Sequence, residues 1–511
     1  MLLRLVLAAV AGVGAGLGFE PFRLVYVLPV AVALVTLTCH RLSLPRGFLV
    51  GSAFGVAFML TLLPWLQVIG VDAWVLLSVL EGLFYGLLGL GTAAVVRLPW
   101  WPLWTAALWV AVEALRGVIP FGGFPWGRLA FATIDTPVAP LFAYLGSAGV
   151  TFAVALVGSV LAWTVLRVRR TPVRAVAALA LACLVVSLGS ALPGPGRGDD
   201  ASGGVTVAAV QGNVPGTGMD AFAERRAVLD NHLQATRDLA ADVEAGEVDA
   251  PDLVVWPESS TDIDPFTDPT VSADIQGVVD AVGVPILVGA MVAGAEADEV
   301  RNQGIVWSPG SGPGESYSKT HPVPFGEYIP FRDLLAKYIT RLDQIPRDMV
   351  AGSEPGLLEI AGVTVGDVIC FEVAYDGVVR DVIEGDADMV VVQTNNATYT
   401  GTGQIEQQFA ISRLRAIETN RFVVVAATNG VSGIIAPDGE VVARAATRTQ
   451  AALVESVRFP GGITAGVRHG AWIELALAAV AGIAVSVGVA AGRRSRPRRH
   501  PQPVDAGVGH Q

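Results

Sequence analysis

Charge is spread so unevenly along this chain that one globular core cannot account for it. Residues 1–192 carry 5 of the 46 acidic residues, residues 193–470 carry 39, and two follow. The acid-poor stretch is almost continuous apolar sequence, broken by short connections at intervals suited to a bilayer, which needs about 17–25 residues per helix. Spans read near 3–19, 24–39, 47–66, 72–96, 100–116, 139–166 and 175–192, with an eighth near 471–492. A composition of 52% hydrophobic and 16% charged residues over 511 positions fits a membrane protein carrying a soluble part. The first span is short and begins with Arg4, as a signal peptide would. Only "EPFR" separates it from the next span, however, and no small-residue cleavage site stands clear of it, so it reads as a retained helix.

Basic residues orient the spans, because cytoplasmic loops are enriched in Lys and Arg. With a cytoplasmic N-terminus, the inside connections hold Arg4, Arg41, Arg46, Arg97, the "RVRRTPVR" at 167–174 and the "RRSRPRRH" at 493–500. The outside connections hold Arg23, Arg116 and Arg128. Both termini are therefore expected on the cytoplasmic side of the inner membrane, and the acidic segment outside. The resulting division is a seven-span bundle over 1–192, a Gly/Pro linker over 193–204, a catalytic domain over 205–469, a C-terminal span over 470–492 and a basic cytoplasmic tail over 493–511.

Within the acidic segment, 18 Arg and Lys face 39 Asp and Glu, which argues against a nucleic-acid partner, since phosphates require a basic surface. Short apolar runs such as "VTVAAVQGNV", "DLVVWPE", "PILVGAMV", "NQGIVWS", "VTVGDVICFE", "MVVVQTNN", "FVVVAATNG" and "SGIIAPDG" read as buried strands. Helical patterns at 219–245 and 404–420 lie among them, and the alternation predicts an α/β layered domain. No phosphate loop or zinc spacing occurs, and no cofactor or metal is expected.

Cys370 is the one cysteine of this segment; Cys39 and Cys183 lie in spans, so no disulfide is available to it. An unpaired thiol on the oxidising side of a membrane calls for a chemical reason. A cysteine at a strand end is by itself commonly a small buried hydrophobe, and Glu258 after "VVWP" can simply solvate a strand terminus. Lys319 is more informative, because the chain has two lysines, Lys319 and Lys337, against 32 arginines. A compact ammonium can meet a developing oxyanion where a planar guanidinium does not fit. Lys337 reads as a solvated or headgroup-facing charge. A thiol with a reference pKa of about 8.5 needs a base or a cation to react near neutral pH. Glu258 as base, Lys319 as anion stabiliser and Cys370 as nucleophile form an acyl-transfer set that would yield a thioester.

The segments "VVWPES", "YSKTHPVPFGEYIP" and "VICFE" resemble the Glu, Lys and Cys motifs of the nitrilase superfamily. With seven spans before such a domain and one after, the chain resembles the apolipoprotein N-acyltransferase family, and "EALRGVIPFGGFPWG" at 113–127 resembles that family's membrane part. The resemblance implies an α-helical membrane bundle plus an extracytoplasmic nitrilase-like αββα sandwich. It implies a membrane phospholipid as acyl donor and the α-amino group of a diacylglyceryl-cysteine apolipoprotein as acceptor. It assigns Glu258, Lys319 and Cys370 to catalysis and makes Glu327 and Glu372 supporting acids that position the lysine and the thiol. Two positions depart from the family pattern: Phe371 where a Tyr is common after the Cys, and Thr398 ahead of Tyr399, which shifts an aromatic ring by one place.

The stretch 322–342 mixes apolar and basic residues as an interfacial amphipathic lid would, and as a core helix would. Two other functions remain open on the residues alone. One is a membrane-tethered amidohydrolase with the same three residues. The other is a non-enzymatic transporter or binding module, which would need paired charges along the spans. Glu81 and Glu113 are the main charges there, with no basic residue expected mid-span to pair with them. A tag placed after Gln511 should stay unlabelled by an impermeant reagent in intact cells while single cysteines introduced at exposed positions of 193–470 react; labelling of the tag would overturn the orientation.

Overall fold

The computed structural model describes residues 1–196, 203–216, 225–335 and 345–494. Part of the linker, the start of the 219–245 helix, the second half of the 322–342 stretch with Lys337, and the basic tail from 495 on lie outside the described residues.

Seven apolar helices precede the acidic segment: α1 (Leu2–Gly16), α2 (Val27–Cys39), α3 (Leu44–Leu62), α4 (Val71–Val95), α5 (Trp101–Arg116), α6 (Phe142–Arg167) and α7 (Pro172–Ser187). Among the described residues, four helices are long and apolar enough to cross a membrane: Leu44–Leu62, Val71–Val95, Ala139–Arg167 and Ala465–Arg493. Leu2–Gly16, Val27–Cys39 and Pro172–Leu184 are shorter apolar helices. The tightest pair is α3 with α4, and glycine sets its spacing. A Cβ at Gly51 would lie 2.1 Å from the Tyr85 carbonyl, and one at Gly55 would lie 2.2 Å from the Gly82 carbonyl. Small residues every fourth position let two backbones touch where lipid supplies no hydrophobic drive.

One expectation is corrected here. Arg116, at the end of α5, is fully buried and reaches Glu81 at 3.4 Å, so the buried acid of α4 does have a basic partner. Glu113 is held without a direct ion pair, by the Thr151 hydroxyl at 2.8 Å and the Leu129 N–H at 2.9 Å. These bonds fasten the 117–128 loop onto α5 and α6. They form a closed structural group and trace no path of paired charges.

The acidic segment folds as two sheets. The first has the order β13-β1-β2-β3-β4-β5, with β6 added beside β4; the strands are β1 (Gly204–Gln211), β2 (Leu253–Val255), β3 (Ile286–Ala293), β4 (Glu299–Ser308), β5 (Gly312–Ser318), β6 (Asp348–Met349) and β13 (Ala451–Arg458). The second has the order β12-β11-β10-β9-β8-β7, with β7 (Leu357–Ile360), β8 (Val363–Ile369), β9 (Met389–Thr394), β10 (Val423–Ala427), β11 (Gly433–Ile435) and β12 (Val441–Arg444). Strands β1, β2 and β3 are mutually parallel, as are β8, β9 and β10.

The period of two in these strands explains the layers. Val207 and Ala209 of β1 pack with Met389 and Val391 of β9 in the core between the sheets. Ala208 and Val210 turn the other way, onto α8 (Arg225–Ala245) and α9 (Pro269–Val282). Val390 and Val392 of β9 face α11 (Asp376–Glu384) and α12 (Gln404–Thr419) in a core that continues into the apolar helices. The layered domain thus rests on the bundle through its α11–α12 face, with α13 (Ala465–Arg494) returning beside α5 and α6. A last short helix, α10 (Arg332–Leu335), follows the Lys319 loop; Arg332 is bonded to Asp348 there, and Phe331 and Leu334 are exposed.

Filling the α3–α4 contact should destabilise the bundle. Gly82→Ala places a Cβ 2.5 Å from the Val56 N and should cost about 1–3 kcal/mol. Gly277→Ala, in α9 with open space around it, should stabilise by up to about 1 kcal/mol. Thermal unfolding of the detergent-solubilised protein measures both, and equal shifts would refute the packing account.

Candidate active site

The five acidic, basic and thiol residues singled out in the sequence come together at one end of the paired sheets. Glu258 follows β2, Lys319 follows β5 and Cys370 follows β8, so each sits where a strand gives way to a loop. Backbone ends of parallel strands are where open sheets place ligand sites. Gly289 makes room for the first of them, because a Cβ there would lie 2.1 Å from the Pro257 carbonyl. Cys370 has φ +56°, a conformation unusual for a side-chain-bearing residue, and it opens a tight turn over Cys370–Ala374. Such a turn lifts the thiol off the end of its strand.

Lys319 is fully buried between two carboxylates. Its Nζ lies 3.0 Å from Glu258 Oε1 and 2.6 Å from Glu327 Oε1. Each carboxylate is also held from elsewhere. Glu258 accepts from the Asn302 side chain at 2.6 Å and from the Asn395 N–H at 2.7 Å; Glu327 accepts from the Val323 N–H at 2.8 Å. Burial alone would strip the lysine of its proton, but the two carboxylates hold its pKa well above the ordinary value. Burial likewise raises the Glu327 carboxyl against the pull of Lys319.

The thiol has the opposite balance. Burial pushes Cys370 up to about 12, the Glu258 carboxylate adds to the rise, and Lys319 opposes it. Its Sγ accepts a hydrogen bond from Thr394 Oγ1 at 3.3 Å, and Gln408 of α12 donates to the same hydroxyl at 2.9 Å. At neutral pH Cys370 therefore rests as the thiol, and a reaction at its sulfur would need a base to take that proton.

Glu372 touches neither the lysine nor the sulfur. Fully buried, it accepts from the Tyr317 hydroxyl at 3.0 Å, the Thr320 N–H at 2.7 Å, the His321 N–H at 3.0 Å and the Ile369 N–H at 2.8 Å. One carboxylate thus ties the Lys319 loop of one sheet to the Cys370 turn of the other.

Both departures from the family pattern occupy packed positions. Phe371 stacks with Phe124 and Trp126 of the 117–128 loop at centroid distances of 5.5 and 5.6 Å. Tyr399 meets Trp65 edge-on at 5.1 Å, and Thr398 is buried beside it. An aromatic wall contributed by the apolar helices therefore stands next to the Cys370 turn. Residues missed in the sequence are Asn302, Thr394, Asn395 and Gln408. Runs such as "NQGIVWS" and "VVVQTNN" held a signal, since an amide or hydroxyl ending a buried apolar strand needs a partner.

Comparison with known proteins agrees with this architecture. The family model described as apolipoprotein N-acyltransferase N-terminal domain matches residues 11–160, and the carbon-nitrogen hydrolase model matches residues 206–459. The chain thus joins an N-terminal membrane domain to a nitrilase-like carbon-nitrogen hydrolase domain. It is 38% identical to an apolipoprotein N-acyltransferase of Mycolicibacterium smegmatis, over 86% of this chain and 77% of that one. It is 26% identical to one of Photobacterium profundum, over 92% of each. Among solved structures, an amidase from Nesterenkonia sp. AN1 aligns with TM-score 0.36 and 17% identity, covering 50% of this chain and 90% of that chain. The chain belongs to the apolipoprotein N-acyltransferase family.

The buried ion group gives a sharp test. Lys319→Arg should lower acyl transfer by about 10²–10³-fold, the size expected for losing one oxyanion-stabilising donor, because the broad guanidinium cannot take the place of an ammonium between two carboxylates. Lys337→Arg should remain active. The rates of the two variants, read beside their thermal stabilities, check this, and equal activity would remove Lys319 from the site.

Proposed function

We propose that this chain transfers an acyl chain from a membrane phospholipid, through a thioester on Cys370, to the N-terminal α-amino group of a diacylglyceryl-cysteine apolipoprotein. The observation that carries the reading is the Glu258–Lys319–Glu327 group beside Cys370, on a domain seated on apolar helices. Membership of the family supplies the substrate class.

In the first half-reaction the Cys370 sulfur attacks the ester carbonyl of the donor while Glu258 takes the thiol proton. A carbon–sulfur bond forms, and the Lys319 ammonium meets the oxyanion. As the tetrahedral species collapses, the ester C–O bond breaks, and Glu258 returns the proton to the departing lysophospholipid oxygen. In the second half-reaction the acceptor amine attacks the thioester carbonyl. A carbon–nitrogen bond forms, the C–S bond breaks, and the amine proton passes by way of Glu258 to the sulfur. Glu327 keeps Lys319 protonated, and Glu372 positions both loops. A thiol with a raised pKa is a poor leaving group until a proton reaches it, so the same carboxylate acts as base and acid in turn.

We place the protein in the inner membrane, with eight spans, both termini in the cytoplasm and the nitrilase-like αββα domain outside. That arrangement brings two bilayer-bound substrates to one site in succession. The aromatic wall of Trp65, Trp126 and Phe371 fits an acyl chain entering from the helices and keeps water from the thioester.

Incubation with labelled phospholipid and no acceptor should leave one acyl chain on Cys370, released by neutral hydroxylamine and absent from Cys370→Ala. Transfer to a model lipoprotein by Cys370→Ala at a rate comparable to the native chain would overturn the mechanism.

A further inference from the structure

A cavity of about 480 Å³ lies between α5, α6, α13 and the first turns of α11, with Pro125 and Tyr375 in its lining. Its size falls within the range of ligand pockets, about 300–1,000 Å³. The walls change character along its length. Toward the helices they are small and apolar, with Ala114, Ala148, Gly470, Ala471 and Ala478, and Val118 and Leu475 stand at the edge, 64% and 60% exposed. Toward the domain they are ionic, with Arg128, Asp376, Arg380, Glu418 and Glu474. The partition separating the cavity from the catalytic loops is His321 against Tyr375, whose rings are 4.4 Å apart, with the Tyr375 hydroxyl bonded to the Gly123 carbonyl at 2.9 Å.

The ionic end is unevenly satisfied. Asp376 is bonded to Arg128 at 2.6 Å and to Arg415 at 2.7 Å, Glu474 to Arg128 at 3.1 Å, and Glu418 to Arg415. Every carboxylate lining the cavity is thus engaged by an arginine. The uncommitted capacity is on one cation. Arg128 already serves Asp376 and Glu474, and its Nε is shut off from the cavity. Arg380 is partly exposed and makes only a 3.6 Å pair with its neighbour Asp381. A guanidinium so loosely paired has N–H groups left for a ligand oxygen.

We propose that this cavity is a second lipid site, which takes a phospholipid with its phosphate at Arg380 and one acyl chain along α5 and α13. The proposal rests on the reading of the protein as a phospholipid acyltransferase. An apolar sleeve edged by the exposed Val118 and Leu475 that ends in an underused arginine matches an amphiphile with a phosphate head. Two sources share that chemistry: the intact donor before reaction, and the monoacyl phospholipid that leaves after it. Either would lie one ring partition away from the loops bearing Lys319 and Cys370.

The test uses the full chain in nanodiscs with two photoactivatable probes, a diacyl phospholipid and a monoacyl phospholipid, each with a diazirine in one chain. Labelled peptides are mapped, and the Cys370 thioester is measured in the same samples. Labelling of the 114–122 and 466–478 peptides at several times the level of the lipid-facing side of α2 supports the site, and the more efficient probe identifies its occupant. Ala471→Trp and Ala478→Phe, which fill the sleeve, and Arg380→Gln, which weakens the head contact, should each lower that labelling at least threefold. Labelling no higher than on α2, or unchanged in all three variants, overturns the proposal. If a thioester nevertheless forms on Cys370, the failure belongs to the second site alone; if none forms, the acyl-transfer reading itself has failed.

Discussion

The candidate site depends on one carboxylate, Glu372, that bonds to neither Lys319 nor Cys370. Glu372 gathers donors from Tyr317, Thr320 and His321 on one side and from Ile369 on the other. Those residues belong to different sheets, so the carboxylate fixes the distance between the Lys319 loop and the Cys370 turn. Buried anions survive only when several donors compensate for lost water, and here backbone N–H groups supply most of them. Replacing the acid would leave those N–H groups unpaired in a water-poor space, and the lysine would lose its register with the sulfur. Its influence on the candidate site is therefore geometric.

A second set of bonds fastens this unit to the apolar helices. Arg415 of α12 donates to the Val373 and Ala374 carbonyls within the Cys370 turn and reaches Asp376 just beyond it. Burial alone would raise the Asp376 carboxyl, but Arg128 and Arg415 hold it down at about 2. The Arg128 guanidinium continues the chain of contacts to Glu474 on α13, and Ser147 of α6 donates to Asp376 at 3.1 Å. On the other flank, Gln407 accepts from Trp65 and Trp126 and donates to the Glu20 and Leu62 carbonyls. The nucleophile turn is thus clamped from both sides by groups that belong to the bundle. A rigid mount of this kind would suit the proposed reaction, whose substrates would arrive through the membrane, because the pocket would have to keep one orientation toward the bilayer.

Much of this was legible in the residues, and the gaps have physical causes. The eight strand-like runs read in the sequence are all strands, because a strand buried on both faces shows as unbroken Val, Ile and Ala. The strands β5, β6, β7, β12 and β13 were not among those runs: β6 has two residues, "GPGESYS" is mostly exposed and "VVAR" half-exposed, so none of these three carries an apolar run. Helices α9 and α11 were also missed, being short and opening at Pro269 and Asp376 beside loop-like sequence. For the site, the rarity of lysine singled out Lys319, and strand ends singled out Glu258 and Cys370. Glu327 and Glu372 came from family resemblance alone, since a lone acid in a loop has no periodicity to mark it. The Arg116–Glu81 pair was missed because a long side chain at a helix end can reach the middle of its neighbour.

The buried group also explains why a thiol, and no hydroxyl, suits this position. The site holds a protonated lysine, two flanking carboxylates and a neutral thiol, and the excess negative charge is held by the Asn302 side chain and the Asn395 and Val323 N–H groups. In the proposed reaction, attack would shift a proton to Glu258 as negative charge moves to the carbonyl oxygen, where Lys319 would receive it. The transition state would then be the moment at which the ammonium is best used, which is the condition for lowering a barrier without trapping substrate. Sulfur would complete such a cycle because a thioester yields to an amine more readily than an oxygen ester does. The acyl group would wait on Cys370, behind the aromatic wall, until a membrane-bound amine replaced the departed lipid.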